Sequence, residues 1–424
     1  MKKAYMLMSA VFAATLNAAT INQVLVRQQW PWSIKIKVEY SLSGVDASHP
    51  VDISVSTYNG DELLPSANLK AAIEGPLYGI TEEFGEFYID PVIAYGNAKI
   101  GMTQFKVKLS VADSSPKMSD VLYRIYDMSD TTQSPYPYVD VTRADLMNGK
   151  YGSYETSFAK IGDSYATSLS DVAIWTGVTN YPGAKTTKLV LRKIPSKNVT
   201  WRRGASGGNI GENASQPHDC TLTHDYFIGV FELTQEQYRR LSRTSWNGSS
   251  FKDDANPVNA AYLSTFRSSI TEQNKVNFTN GFELDFPTEA QWEFACRAGT
   301  TSELYTGQSL STVNLDPIAW HSINSEQMAH QVGLKLPNAF GLYDMIGNVY
   351  EACSDNWSDT KPEGYIDGAA VTDPIGSLAP DASGRLVTRG GNFGVNNYFC
   401  TSAGRNKSGG GWNGCGFRVC GIVE

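Results

Sequence analysis

Apolar and polar residues alternate with a period of two through the first quarter of the chain. The pattern is clearest over residues 33–40, 51–55 and 104–109, and turn residues such as Asn59-Gly60 separate the runs. Alternation of this kind is typical of strands that have one face in the core and one in solvent. We therefore expect residues 20–118 to form an all-β, immunoglobulin-like sandwich.

Two tryptophans, Trp30 and Trp32, lie beside one of these runs. One interpretation is a pair of rings that stack on sugars. Packing in the core or at a sheet edge is the commoner role of aromatic residues beside a strand, and it is the role we expect here.

Residues 119–195 contain two further strand patterns, at 121–126 and 187–194. The stretch between them is polar and rich in Ser, Thr, Gly and Tyr, with no regular period. We expect an irregular, β-rich connecting segment and assign it no function.

Helical signals occur at two places in the second half of the chain. Thr234 is followed three positions later by Gln237, a capping-box pattern that predicts a helix over 235–243. Thr288 and Gln291 repeat the pattern after a proline and predict a second helix over 288–297.

Composition and charge narrow the possible partners. The 424 residues include 38 Gly and 22 Tyr but only 18% charged residues, which is typical of a β- and loop-rich extracellular protein. The net charge of -8 and the lack of a basic stripe argue against nucleic acid or an anionic membrane as a partner.

The first residues resemble a secretory signal peptide. Lys2 and Lys3 precede an apolar run that is too short to span a bilayer, and small residues follow it. We expect residues 1–19 to be removed near Ala19, which leaves no membrane span, although a buried N-terminal helix or an uncleaved anchor is an alternative. The protein would then be periplasmic, cell-surface or secreted.

All six cysteines come after residue 200, which favours an internal disulfide framework in an exported domain.

Three dense motifs fill the C-terminal part of the chain. Residues 284–300 read LDFPTEAQWEFACRAGT, residues 337–351 read PNAFGLYDMIGNVYE, and RGGNF at 389–393 is followed by GFRVC at 416–420. Their order resembles the formylglycine-generating enzyme family, also called sulfatase-modifying factors. The resemblance implies an α+β, loop-rich, C-type-lectin-like domain over residues 196–424.

The resemblance also implies a calcium site in the second motif. The family binds calcium through the side chains that match Asp344 and Glu351 and the carbonyls that match Gly347 and Val349. Oxygen ligands of this kind suit calcium, and a glycine lets the backbone turn around the ion. The alternative is a turn whose carboxylates accept bonds from backbone amides.

Enzymes of the family hold copper(I) with two cysteines, since soft thiolates suit that ion. Counting from Gly391, the two positions fall at Val395 and Cys400. Valine cannot ligate copper, and the chain matches a shorter family branch in which Cys400 would be structural. Cys400 is a catalytic candidate only if the protein is an oxidase, so copper is not the cofactor we expect.

By the same resemblance, we expect disulfides between Cys353 and Cys400 and between Cys296 and Cys420. Cys220 and Cys415 are the cysteines left over and would form a third pair. The first would remove the last candidate copper thiolate.

The region between the third motif and the C-terminus has the composition of a recognition surface. Aromatic, Asn, Ser and Gly residues alternate there, which combines rigid anchors with adaptable polar contacts. The candidate binding residues are Asn392, Phe393, Asn396, Asn397, Tyr398, Phe399, Arg405 and Trp412. The region also resembles the variable region of diversity-generating retroelement proteins, which share the fold; an ordinary glycine-rich loop is the alternative.

Two functions therefore remain open. The first is an exported, non-catalytic module that binds a protein or glycan, and Val395 favours it. The second is a divergent copper-dependent oxidase that forms formylglycine from a sulfatase cysteine.

Overall fold

A computed structural model of the chain describes residues 7–8, 19–29, 32–46, 51–64, 69, 72–75, 77, 80–96, 104–113, 120–157, 172–205, 216–244, 251–259, 263–278, 282–358, 369–376, 383–408 and 414–422. The chain divides into two compact units, Met1–Lys117 and Met118–Glu424.

The N-terminal unit is built from antiparallel strands. Its elements are β1 (Leu7–Met8), β2 (Thr20–Gln28), β3 (Ile36–Ser43), β4 (Val51–Asn59), β5 (Glu62–Leu63), β6 (Ile73–Glu74), β7 (Phe84–Ile89), α1 (Pro91–Tyr95) and β8 (Phe105–Asp113). They form a sheet of order β1-β2-β3-β7-β6 and a sheet of order β5-β4-β8. The antiparallel β region is confirmed, whereas its immunoglobulin-like character stays a prediction.

Strand β3 shows why the sequence alternates. Val38, Tyr40 and Leu42 are buried in the core between the sheets, and the residues between them lie on the outer face. Trp32 differs from the expectation, because it is 91% exposed rather than packed. Trp30 lies outside the described residues.

The C-terminal unit mixes short strands and helices. Its strands are β9 (Val121–Asp127), β10 (Tyr138–Thr142), β11 (Glu155–Ser157), β12 (Val172–Ile174), β13 (Lys188–Ile194), β14 (Val199–Arg203), β15 (His218–Leu222), β16 (Tyr226–Gly229), β17 (Tyr350–Asn356), β18 (Val371–Thr372), β19 (Leu386–Arg389), β20 (Arg405–Ser408), β21 (Cys415–Gly416) and β22 (Cys420–Ile422). Its helices are α2 (Arg143–Met147), α3 (Gln235–Ser242), α4 (Leu263–Thr271), α5 (Asn274–Asn277), α6 (Glu289–Arg297) and α7 (Thr312–Leu315), with 3-10 turns at Thr176–Asn180 and Asn397–Phe399.

The largest sheet of this unit joins distant parts of the sequence. Its order is β10-β9-β13-β16-β22, so strands from the predicted connecting segment pair with the start and the end of the family-like domain. A second sheet, β20-β19-β17-β21, carries the residues of the second and third motifs. The remaining sheets have the orders β14-β15-β18 and β11-β12.

Both predicted helices are confirmed. In α3 and α6, the N-cap threonine and the glutamine three positions on bond each other's backbone amides, as a capping box requires. Helix α3 ends at Ser242, one residue early, because Arg243 adopts a left-handed conformation with φ 54°. Within the described residues, no helix is long and apolar enough to cross a bilayer.

Candidate functional site

Asn348 is the hub of the candidate site. Its backbone carbonyl accepts from Phe393 N at 2.8 Å, and its backbone amide donates to Trp320 O at 2.9 Å. Its side chain donates to Glu232 Oε2 at 2.6 Å and accepts from His330 N at 2.9 Å. One buried residue of the second motif thus holds together segments as far apart in sequence as Glu232 and Phe393.

Gly347 allows the backbone at Trp320 to lie close to the second motif. It has φ 82°, and a Cβ at this position would lie 2.4 Å from Trp320 O. Any other residue would be strained in this conformation and would push the 320–330 loop away.

Glu351 lies next to the hub and is fully buried. Arg418 donates to both of its carboxylate oxygens, at 2.6 and 2.7 Å, and Trp292 Nε1 donates to it at 2.6 Å. A buried carboxylate needs this compensation, because an uncompensated buried charge is strongly destabilising. Among the residues that the structure describes, Arg418 is the cation that contacts this carboxylate.

Asp344 has a different environment. Its Oδ2 accepts from Gly333 N at 2.6 Å, whereas its Oδ1 is buried without a hydrogen bond. Burial raises the pKa of Asp344 to about 6. Burial, together with the nearby charges of Asp344 and Glu351, also raises the pKa of Glu232 well above its usual range.

The predicted calcium ligands therefore differ in availability. Asp344 fits the expected role, since its free oxygen lacks a donor, but both oxygens of Glu351 are already bonded. Among the described residues, no three His, Cys, Asp or Glu side chains converge as a metal site would require. Calcium binding stays a prediction.

The two copper positions do not present a pair of thiolates. Val395 is partly buried and packs against the core, and Cys400 is fully buried. Burial raises the pKa of the Cys400 thiol to about 12. A Cβ on Gly391 would lie 2.6 Å from Cys400 Sγ, so the thiol is held against the Gly-Gly backbone.

The expected disulfides are absent, which corrects the sequence-based prediction. All six cysteines belong to the described residues, and each is a buried free thiol. Cys296 Sγ lies 3.9 Å from Met345 O, and Cys420 Sγ lies 3.7 Å from Gln291 Oε1. These two thiols therefore have separate polar neighbours instead of each other.

Several predicted binding residues are buried and support the fold. Asn392 donates to Gly414 O and accepts from Gly394 N. Phe393 packs edge-on against Phe251. Arg405, which we expected on the surface, is 4% exposed and donates to Glu289 at 3.0 Å.

The remaining predicted binding residues form a short surface segment. Asn396 and Tyr398 are exposed, the latter by 42%, while Asn397 and Phe399 are partly buried in the 3-10 turn. Trp412 lies outside the described residues.

A second loop, which sequence reasoning assigned no binding role, lies against this segment. Ser325 Oγ donates to Phe393 O at 2.6 Å, and Ser322 N donates to Val395 O at 3.1 Å. Ile323 projects from it with 68% exposure. We call residues 320–330 and 392–399 together the two-loop surface. Nothing in the local pattern could have revealed this contact, because it joins loops that lack a regular period.

The 320–330 loop also contains two histidines. His321 is buried and its Nε2 lies 2.8 Å from Asp316 Oδ1, whereas His330 stacks on Trp320 at 3.8 Å between ring centroids. Both histidines are therefore engaged within the fold, and Lys335 lies over the Trp320 ring.

A buried network of ion pairs connects helix α6 to neighbouring strands. Glu289 and Glu293 of α6 face arginines from β14, β19 and β20, and from α6 itself: Arg203, Arg389, Arg405 and Arg297. Burial opposes ionisation, but these arginines hold the pKa of each glutamate down at about 2. The helix is thereby fixed to the strands that carry the third motif.

Comparison with known proteins decides the family. Residues 194–421, more than half of the chain, match the Sulfatase-modifying factor enzyme 1-like domain. The chain belongs to the sulfatase-modifying factor family. The resemblance seen in the three motifs is confirmed.

The proteins that this sulfatase-modifying factor domain resembles include a chaperone protein, an enzyme and a variable protein. Chaperone protein LppX of Paenibacillus barcinonensis is 25% identical over 246 residues, covering 43% of this chain and 86% of that protein. The formylglycine-generating enzyme of Thermomonospora curvata is 31% identical over 131 residues, covering 27% of this chain and 40% of the enzyme. Among solved structures, Treponema denticola variable protein 1 matches with a TM-score of 0.46 and 23% identity, over 56% of this chain and 96% of that chain.

Proposed function

We propose that this protein is an exported, non-catalytic member of the sulfatase-modifying factor family that binds a protein or glycan ligand on its C-type-lectin-like domain. The observation that carries the proposal is the pair Val395 and Cys400. One position of the copper pair has no thiol, and the other has a buried thiol whose pKa is raised to about 12. Soft sulfur ligands suit copper(I), and the side chain of Val395 offers none to complete the pair.

The two-loop surface is the proposed ligand site. Tyr398 and Ile323 are exposed there, and the loops beneath them are fixed by the buried bonds of Asn348 and Ser325. Exposed aromatic and aliphatic anchors on a rigid support limit the entropy lost on binding.

Calcium at residues 344–351 is a structural part of this proposal. Asp344 and the carbonyls of Gly347 and Val349 would hold the ion, and Glu351 would contribute charge while it remains paired with Arg418. Calcium would compensate the excess negative charge of this buried region without taking part in chemistry.

Copper(I) titration of the reduced protein, followed by incubation with a cysteine-containing sulfatase peptide, tests the proposal. We expect no stoichiometric copper binding and no aldehyde product, with a formylglycine-generating enzyme as the positive control. An aldehyde that is lost in Cys400→Ser but kept in Cys415→Ser would overturn it in favour of the oxidase. Cys415 is the matched control, because its thiol is also buried with a pKa of about 12.

A further inference from the structure

The outer face of the N-terminal sheet contains a shallow cavity of about 460 Å³, formed by β2, β3 and β7. The register places its side chains in rows across the three strands. Gln23, Ser41 and Phe84 form one row, and Leu25, Glu39 and Glu86 form the next. Gly85 is the partner of Tyr40 on the opposite, core face, where the Tyr40 ring occupies the space that a side chain at position 85 would need.

Two aromatic residues of this sheet are exposed to solvent. Phe84 at the edge of the cavity is 75% exposed, and Trp32 in the β2–β3 hairpin is 91% exposed. A ligand that covers these rings would remove apolar surface from water, which is favourable, so both rings are candidate contacts. Along β3, the hairpin lies roughly 25 Å from the Phe84 row at about 3.4 Å per residue.

The polar groups between the two rings balance in charge. Glu39 pairs with Arg27 and with Lys37, both at 3.1 Å, and Lys37 also pairs with Glu86 at 2.7 Å. Tyr88 OH donates to the same Glu86 at 3.1 Å. Two cations and two carboxylates leave no net charge, which gives a polyanionic ligand no electrostatic advantage.

We propose that this face binds a neutral glycan chain, whose sugar rings pack on Phe84 and Trp32 and whose hydroxyls bond Gln23, Ser41 and the carboxylates. The C–H face of a pyranose ring packs well on an aromatic ring, while its hydroxyls both donate and accept hydrogen bonds. A protein partner fits less well, since the core of a stable interface is apolar and depleted of charge. Here a ladder of charged residues crosses the centre of the face.

The test is affinity gel electrophoresis of the full chain in gels that contain galactomannan, xylan or mixed-linkage β-glucan, with heparin as the anionic comparison. We expect retention by at least one neutral polysaccharide. Phe84→Ala and Trp32→Ala should each weaken it about fivefold, the size of a typical aromatic contact. Val313→Ala in α7 is the control, because Val313 is 81% exposed and belongs to neither proposed binding surface; it should leave retention unchanged.

Several results would overturn the proposal. They are the lack of retention by all three neutral polysaccharides, retention by heparin only, and retention that neither Phe84→Ala nor Trp32→Ala weakens. Self-association of the chain that Phe84→Ala abolishes would show instead that the face is a protein interface. Because Phe84 and Trp32 are exposed, their removal should not impair folding, and circular dichroism of both variants checks this.

Discussion

Arg418 and Glu351 form an ion pair inside the core of the C-terminal unit, where neither side chain is more than 1% exposed. Arg418 also donates to the carbonyls of Gly229 and Tyr343, so it connects β16 to the second motif. The pair therefore combines charge compensation with the satisfaction of backbone groups that would otherwise be unpaired.

Removing one partner of this pair gives the first prediction. Arg418→Gln should lower the free energy of unfolding by about 3–5 kcal/mol, because it leaves Glu351 buried and without a counterion. Urea unfolding measures the change. Arg202→Gln is the matched control: its ion pair with Asp219 is about half exposed, so the loss should stay below about 1 kcal/mol. Equal effects in both variants would contradict the role given to burial.

The pKa of Asp344 gives a second prediction. Burial raises this pKa from 3.8 to about 6, so the folded state binds a proton more tightly than the unfolded state. Stability should therefore fall as the pH rises from about 4 to about 6, by roughly 2–3 kcal/mol for this one group. In calcium-free buffer, Asp344→Asn should remove that part of the dependence and raise stability at pH 7.

Other groups limit how much this variant changes. Glu232 and Glu351 face Asp344 with like charge, while Arg418 and Lys185 oppose them. The pKa of Asp355 is also raised to about 6 by burial, so the slope should be reduced rather than abolished. Asp219→Asn, at an exposed ion pair, should leave the slope unchanged; an identical slope in Asp344→Asn would contradict the prediction.

Calcium binding gives a third prediction at the same residue. If Asp344 contributes to a calcium site, adding a chelator should lower the melting temperature. At a calcium concentration about 100 times Kd, the ion would stabilise the folded state by about 2.7 kcal/mol. Asp344→Ala should abolish the response in differential scanning fluorimetry. A wild-type protein that melts at the same temperature with and without chelator rules the site out.

At the scale of elements, helix α6 connects the first motif to the ion network. Its N-cap Thr288 bonds the backbone of Gln291, and Glu289 accepts hydrogen bonds from arginines of β19 and β20. Glu289 also donates its backbone amide to Asp355 of β17 at 2.6 Å. The helix start is therefore held both locally and by tertiary contacts.

The cap gives a fourth prediction. Thr288→Ala should lower the free energy of unfolding by about 1 kcal/mol, because it leaves a helix amide without its acceptor. Ser269→Ala, within α4, is the control: its hydroxyl bonds a carbonyl of its own helix, and alanine favours helix there. A loss in Ser269→Ala as large as in Thr288→Ala would show that hydroxyl removal alone, rather than loss of the cap, is responsible.

Local signals explain which elements the sequence could predict. The capping boxes of α3 and α6 lie within four residues, so they can be recognised without tertiary information. Helix α4 also has an apolar face, with Leu263, Phe266 and Ile270 buried, but the residue before it in the sequence, Tyr262, is not a preferred N-cap residue. The strand pairings β13–β16 and β16–β22 join segments too distant for any local pattern to reveal.

The candidate site was predictable only in part, for the same reason. Family resemblance located the 344–351 loop and the 392–399 segment. It did not show that Arg405 turns inward to Glu289, because an arginine in a loop-rich stretch looks the same whether it faces solvent or a buried carboxylate. The position of residues 320–330 beside this segment depends on single hydrogen bonds, such as the one that Ser325 Oγ donates to Phe393 O.

At the scale of the whole molecule, the chain has two compact units, and each has its own hydrophobic core. The proposed glycan face belongs to the first unit and the two-loop surface to the second. The Phe84→Ala and Tyr398→Ala variants therefore separate the two binding roles.

Export gives the fifth prediction. Mass spectrometry of the exported protein should find a new N-terminus near Ala19 or Thr20, because the apolar run after Lys2 and Lys3 suits a signal peptidase substrate. Exported material that still begins with Met1 would refute the cleavage.

The buried ion network also determines when the C-terminal unit can fold. Glu232, Glu289 and Glu293 are synthesised before Arg389, Arg405 and Arg418, which come later in the sequence. A nascent chain that lacks these residues has only Arg203 and Arg297 to compensate Glu289 and Glu293, and its central sheet lacks β22. The C-terminal unit should therefore reach its native state only after Arg418 and β22 have been synthesised.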